Sequence, residues 1–501
     1  MMGAAREHVS AGLIVAAAVP AFAVIGLCAA SGGNGRTAWD LATIGFVTVT
    51  VIVLWRNRPA IKTPARWCVA GFAGLALWSA CSHVWSSDPP ATTTEVQRWL
   101  MITSAVACFV AISSVWGGRP VVAGVAAGAT TICAYAVLTR LLPSLPGSSG
   151  TPGVNRLDQP VGYWNALGSL AMIGLILGAG LTVGGRRHVR LACALAATPL
   201  GLALYLTFSR GALLALVAGL LLAVSVVRNR VGSLLDASLL VPAAVIPVVI
   251  VQAFPALTSA YPRHADQVRQ GGVALMLILA SMAICGWAAM RWRRILRRVV
   301  EAAARRRWIV LGGAALVGVM AVVVAGGVVH VIETSGQSSP HFQGGDLNRR
   351  LLSLSDNGRG PIWRVAWEDV RHHPLIGSGD GTFAQLWAAD PERPFPVQAA
   401  HSLYLETAAE LGLVGLTLLL VVLVVPFRAI SVPTSPIVSA AAGASAGYLL
   451  QAAFDWIWDV SGVTVAVLAC LAVLTTGQSH AESPDRPGED SRPDPRVARA
   501  T

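Results

Sequence analysis

The chain has 501 residues, 54% of them hydrophobic and only 12% charged, with a formal net charge of +12 and a mean hydropathy of +0.63. That composition excludes a water-soluble globule and indicates a polytopic membrane protein. The basic residues cluster in short loops between apolar runs, so membrane topology explains them better than nucleic-acid binding does.

Runs of about 20 apolar residues, enough to cross roughly 30 Å of hydrocarbon, occur near 11–30, 38–55, 67–86, 98–116, 119–141, 163–184, 189–208, 211–227, 236–254, 271–290, 309–331, 403–426, 436–454 and 459–476. We expect an all-α polytopic membrane protein with about 12–14 transmembrane helices. The first run has no clear cleavage site after its apolar core and reads as a retained helix. Arg56, Arg58, Lys62 and Arg66 share one loop, Arg186, Arg187 and Arg190 another, and Arg228 and Arg230 a third. The segment from Arg291 to Arg307 is the most basic. All are even-numbered loops, so the positive-inside rule puts both termini in the cytoplasm and the loops at 140–162 and 332–402 outside the cell membrane.

The expected organisation is N-terminal helices at 1–141, a central region at 142–426 that includes the large extracytoplasmic loop 332–402, C-terminal helices at 427–477, and a polar, disordered cytoplasmic tail at 478–501. The eight cysteines lie within or at the edges of apolar runs, lack metal-ligand spacing and read as small core residues.

This topology brings four polar stretches to the outer face: "NRLDQPVGYWNALG" at 155–168, "TFSRGALLAL" at 207–216, "RGPIWRVAWEDVRHHPLIGSGDGTF" at 359–383, and "HSLYLETAAELGLVG" at 401–415. In the third, Pro361 suits a first helical turn, and Ile362, Trp363, Ala366, Trp367 and Val370 recur at helical spacing. An amphipathic helix of that kind lies along a membrane interface. His373-Pro374 ends it, and the glycines of "GSGDGTF" permit a tight turn or close backbone approach.

Together these stretches resemble the O-antigen ligase and polymerase superfamily, membrane glycosyltransferases of the GT-C type. The resemblance is strongest over 150–425. It implies transfer of a glycan from a polyprenyl-diphosphate carrier to a hydroxyl of a glycan, lipid or cell-wall acceptor outside the cytoplasmic membrane. By position, His401 looks like the family's catalytic histidine, and Arg210 and Arg359 like the arginines that engage the donor diphosphate. Arg156 is a further candidate for that role. Trp363 and Tyr404 are candidate substrate-binding residues, and Glu410, Gly377 and Gly379 candidate supporting ones. Ser402 stands where the family commonly has asparagine.

Elementary chemistry agrees with this resemblance. Guanidinium groups pair bidentately with phosphate oxygens and stabilise charge growing on a diphosphate leaving group. A histidine can accept the proton of an attacking hydroxyl. Such a reaction needs no metal or cofactor and would invert the anomeric centre. Taken singly, each residue has a plainer reading: Arg210 an interfacial anchor, Trp363 and Trp367 interface packing, the glycines a turn, Asp455 and Asp459 a solvated turn. Glu410 reads as structural. Glu406 points about 140° away from His401 on a continuous helix. Two other classes are a transporter or flippase, which should show paired half-symmetry or broken helices, and a peptidoglycan polymerase of the shape and division family, which should depend on a loop carboxylate.

Overall fold

The computed structural model describes residues 2–145, 155–304, 347–348, 358–390 and 396–477. The described residues are helical, without a strand apart from an isolated bridge between Val227 and Thr434. In chain order the helices are α1 (Met2–Ala29), α2 (Arg36–Asn57), α3 (Thr63–Ser82), α4 (Pro89–Trp116), α5 (Gly118–Leu141), α6 (Trp164–Thr182), α7 (Arg187–Leu206), α8 (Arg210–Val226), α9 (Arg230–Ala237), α10 (Leu240–Gln252), α11 (Pro255–Thr258), α12 (His264–Ala304), α13 (Arg359–His372), α14 (Phe383–Ala388), α15 (Leu403–Glu410), α16 (Gly412–Arg428), α17 (Pro436–Ala452) and α18 (Ser461–Thr476).

Among the described residues, 8 helices are long and apolar enough to cross a membrane, and Arg210–Val226, Gly412–Arg428 and Ser461–Thr476 are shorter apolar helices. The chain is an all-α polytopic membrane protein. Each expected span coincides with a described helix except 309–331, which lies outside the described residues, as do the tail and much of the loop at 332–402.

Packing follows from the small residues. α18 is buried along its whole length, as an all-round apolar helix must be at the centre of a bundle. Added Cβ atoms on Gly219 of α8 and Gly443 of α17 would lie 2.5 and 2.3 Å from the other's carbonyl oxygen, so these backbones touch. Gly124 of α5 faces the Ala17 carbonyl of α1 in the same way, at 2.0 Å. Without a hydrophobic drive between helices in lipid, such close approach supplies the dispersion contacts that hold them.

Three sequence-based expectations change. The span expected at 403–426 is interrupted: α15 ends at Glu410, and α16 begins at Gly412 with φ +67°. The cause is close contact, since a Cβ on Gly412 would lie 2.3 Å from the Leu375 carbonyl oxygen. Cys81 is exposed rather than a core residue. Asp455 is buried at 2% exposure, where a solvated turn was expected.

The loops segregate to two ends of the bundle. At one end Val227 pairs with Thr434, Gly184 N–H donates to Asp236, and Trp292 Nε1 donates to the Leu235 carbonyl. The basic loops at 56–66, 186–190 and 228–230 gather here. The other end collects 155–165, 206–209, 359–383, 396–411 and 453–460, the stretches singled out in the sequence.

Candidate functional site

The site is built around Asp455, in the turn that joins α17 to α18. Its carboxylate accepts hydrogen bonds from the Tyr163 hydroxyl at 2.6 Å, Asn165 Nδ2 at 2.6 Å and Arg359 Nη2 at 2.9 Å. Burial pushes the Asp455 carboxyl above its ordinary range, against the opposing pull of Arg359, Tyr163, His401 and Asn165. Arg359 reaches it from the first residue of α13, and its guanidinium lies 6.0 Å from the Phe454 ring.

Arg156 joins the same network from the other side. Its Nη2 donates to Asn165 Oδ1 at 3.1 Å, its guanidinium lies 4.5 Å over the Trp164 ring, and its Nε donates to the Thr207 carbonyl at 2.7 Å. Nη2 also reaches the Phe208 carbonyl at 3.2 Å. Phe208 has φ +47°, so Arg156 secures a left-handed turn directly before Ser209, whose side chain caps α8. Arg210 is the first residue of that helix. Its neighbour Gly211 sits against Phe454, where a Cβ would lie 2.9 Å from the ring. The Phe454 ring is thus close both to the start of α8 and to Arg359.

His401 approaches from the chain before α15. Its ring centroid lies 6.3 Å from that of Trp456, the residue after Asp455, and its Nδ1 is 3.0 Å from the Ala399 carbonyl oxygen. It adopts φ +55°, a left-handed conformation uncommon outside glycine. Ser402 serves as N-cap, accepting from Leu405 N–H at 3.4 Å, so serine in place of asparagine still supplies a capping oxygen. Glu406 accepts from the Ala400 N–H at 2.6 Å.

The supporting residues lie beneath. Glu410 accepts from Phe383 N–H at 2.9 Å, and Gly379 N–H donates to the Glu410 carbonyl at 2.9 Å. Gly377 (φ +72°) leaves no room for a side chain: its Cβ would lie 2.2 Å from the Glu410 backbone. Asp380 accepts from Trp99 Nε1 at 2.9 Å and from the Ser79 hydroxyl, fastening the glycine turn to α3 and α4; burial raises its carboxyl above the ordinary range. Arg98 of α4 pairs with Glu95 at 2.6 Å and with Asp459. Arg98, Asp459, Asp380, Glu406 and Glu410 line a small cavity of about 20 Å³.

The structure thus brings Arg156, Arg359 and His401 to the Asp455 turn, and places Arg210 at the start of α8 beside Gly211, which sits against Phe454. It does not join the other two candidates to that network. Tyr404 donates to the Leu449 carbonyl at 3.1 Å, tying α15 to α17. Trp363 is half-buried on α13, and its Nε1 has no hydrogen-bond partner among the described residues. Sequence reasoning missed Tyr163, Asn165, Asp380 and Arg98; of these, all but Arg98 lie within the marked stretches 155–168 and 359–383. Among the described residues no group of three or more His, Cys, Asp or Glu side chains is arranged to hold a metal ion.

A polytopic α-helical membrane protein with an arginine, histidine and aspartate cluster at one end of its bundle is the class defined so far. Residues 268–420 match the family model described as O-Antigen ligase, which supports the O-antigen ligase and polymerase superfamily and a glycan-transfer function of that type. The match contains Arg359, the glycine turn, His401 and Glu410. Arg156 and Asp455 fall outside it and join the site through the fold; Arg210 also falls outside it. No curated protein matches the chain.

Proposed function

We propose that this protein is a membrane glycosyltransferase that moves a glycan from a polyprenyl diphosphate to an acceptor hydroxyl on the extracytoplasmic face of the cell membrane. The observation that carries the reading is the convergence on Asp455: the stretch with Arg156 and Asn165, Arg359 and His401, three segments far apart in sequence, gather at the turn that holds one buried carboxylate. The basic loops gather at the opposite end, which by the positive-inside rule is cytoplasmic.

In this reaction the acceptor oxygen forms a bond to the anomeric carbon as the bond from that carbon to the diphosphate breaks, with inversion. His401 Nε2 takes the hydroxyl proton. The diphosphate leaves with its growing charge held by Arg359 and Arg210, whose guanidinium groups supply the stabilisation without a metal. Arg156 acts by holding the turn that presents Arg210. The acceptor is a glycan, lipid or cell-wall hydroxyl, and membrane lipid surrounds the bundle.

His401→Gln tests the proposal, because a carboxamide preserves size and polarity but cannot act as an imidazole base. Assayed with a purified polyprenyl-diphosphate glycan, the variant should remain folded, bind donor and turn over about 10²-fold or more slowly. Full activity would exclude His401 as the base. The buried Asp455 gives one reason to keep the peptidoglycan polymerase reading. In that case Asp455→Asn would abolish activity and His401→Gln would be tolerated.

A further inference from the structure

The peptide group between Ala399 and Ala400 is clamped on both edges. Its N–H donates to Glu406 Oε2 at 2.6 Å, and its carbonyl oxygen faces His401 Nδ1 at 3.0 Å. A carbonyl oxygen can only accept, so Nδ1 must carry the proton in this bond, which leaves the lone pair on Nε2. One carboxyl group and one imidazole are therefore connected through a single peptide plane. From this we infer that Glu406 is the positioning residue of His401, acting through the peptide group between them. This rests on the proposed role of His401 as the base.

Local geometry explains why such a device is needed. His401 is a non-glycine residue at φ +55°, a strained conformation that persists only where surroundings enforce it. A common helix start has a glutamate at the third helical position reaching back to the N–H of the capping residue. Here the cap is Ser402 and the third position is Leu405, whose N–H the Ser402 hydroxyl accepts. The glutamate comes one residue later and reaches two residues further back, past His401 to Ala400. The displaced box encloses the histidine and fixes its turn.

Burial makes the clamp hard to replace. Ala400 is fully buried, so its N–H would lose its acceptor without Glu406. Glu406 itself lines the small cavity beside Arg98 and Asp459. Hydrogen bonds in series polarise one another. An acceptor on the N–H strengthens the carbonyl as an acceptor for Nδ1–H, and so favours the tautomer in which Nε2 is the basic nitrogen. The arrangement assigns Glu406 the orienting task that a directly bonded carboxylate performs for a histidine in other hydrolytic and transfer enzymes.

The test compares Glu406→Gln, which keeps an acceptor oxygen, with Glu406→Leu, which does not. We expect Gln to hold kcat within about threefold of wild type. Leu should lower kcat about tenfold or more at unchanged donor KM and unchanged membrane level. The readout independent of activity is the tautomer of His401 by nitrogen NMR of histidine-labelled protein in nanodiscs, its signal identified by loss in His401→Gln. Wild type and Gln should show Nδ1–H alone, and Leu a mixture. Wild-type kcat and a single tautomer in Leu would overturn the proposal, as would Gln being as impaired as Leu. Should Leu fail to fold, an Nε2–H imidazole in the wild-type protein is by itself enough to overturn it. Were His401→Gln fully active, the catalytic reading would fail, while the tautomer would still decide whether Glu406 positions the ring.

Discussion

Replacing Asp455 with asparagine removes a charge from the centre of the site with almost no change in shape. The carboxylate accepts from Tyr163, Asn165 and Arg359. A carboxamide with its oxygen in the place of Oδ2 still accepts from Asn165 and Arg359 but turns its NH2 group toward the Tyr163 hydroxyl, so one hydrogen bond of the carboxylate is lost and the guanidinium loses its charged partner. At about 1 kcal/mol for the displaced hydrogen bond, and with the Arg359 bond roughly halved once its acceptor is neutral, the loss comes to roughly 1–3 kcal/mol. Asp455→Ala should cost more, about 3–5 kcal/mol, because it strands a guanidinium. Solvent compensates little, since the Arg359 and Asp455 side chains are 17% and 2% exposed. Apparent Tm in nanodiscs should fall in the order wild type, Asn, Ala, and glycan transfer should fall with it. The double variant Asp455→Ala/Arg359→Ala should recover part of the Tm lost in Asp455→Ala. Wild-type Tm and turnover in Asp455→Asn would refute the view that Asp455 organises the site.

Other consequences can be measured directly. Arg359→Lys and Arg210→Lys should each lose most transfer activity at normal membrane levels, because an ammonium cannot make the paired planar contacts of a guanidinium to phosphate; near-normal turnover in both would favour interfacial anchors. Gly377→Ala should lower apparent Tm and activity together, since the left-handed backbone costs about 1–2 kcal/mol and the clash with Glu410 about 1–3 more; an unchanged Tm would show that the glycine turn can relax. With Cys81 replaced, the other cysteines being buried, single cysteines at positions 186 and 232 should resist an impermeant reagent and one at 389 should react. Labelling at 186 would invert the proposed topology.

What the sequence disclosed and what it hid have separate physical causes. Spans were legible because lipid demands about 20 apolar residues in a row, a signal written along the chain. His401 was legible because a polar residue at the start of an apolar segment stands out, and Arg359 through the resemblance of its stretch to the family. The Asp455 network was not, because Tyr163 and Asn165 lie 292 and 290 residues from their partner and no local pattern marks the pairing. The direction of Glu406 was hidden for a more instructive reason. Placing it about 140° from His401 assumed one continuous helix, whereas the helix begins at Leu403 and His401 stands outside it in a left-handed turn. A helical wheel does not apply across a cap. Likewise the break at Leu411 was invisible to hydropathy, because Gly412 and its neighbours are as apolar as a continuous span would be.

Asp455 also bears on how the proposed reaction could hold charge in one place. Before transfer its carboxylate is paired with Arg359, which fixes the guanidinium and reduces the cost of immobilising that side chain on a diphosphate, about 0.5–1.5 kcal/mol for a long side chain. As the sugar bond breaks, negative charge grows on the diphosphate and draws the guanidinium toward it. The proton taken from the acceptor then makes His401 cationic, and His401 is close enough for its charge to act on Asp455. The carboxylate thus exchanges one cation for another as the reaction proceeds and is never left without one. A site of this kind needs its base and its phosphate-binding arginine on either side of the same buried acid, which is how the turn between α17 and α18 presents it to α13 and to the chain before α15.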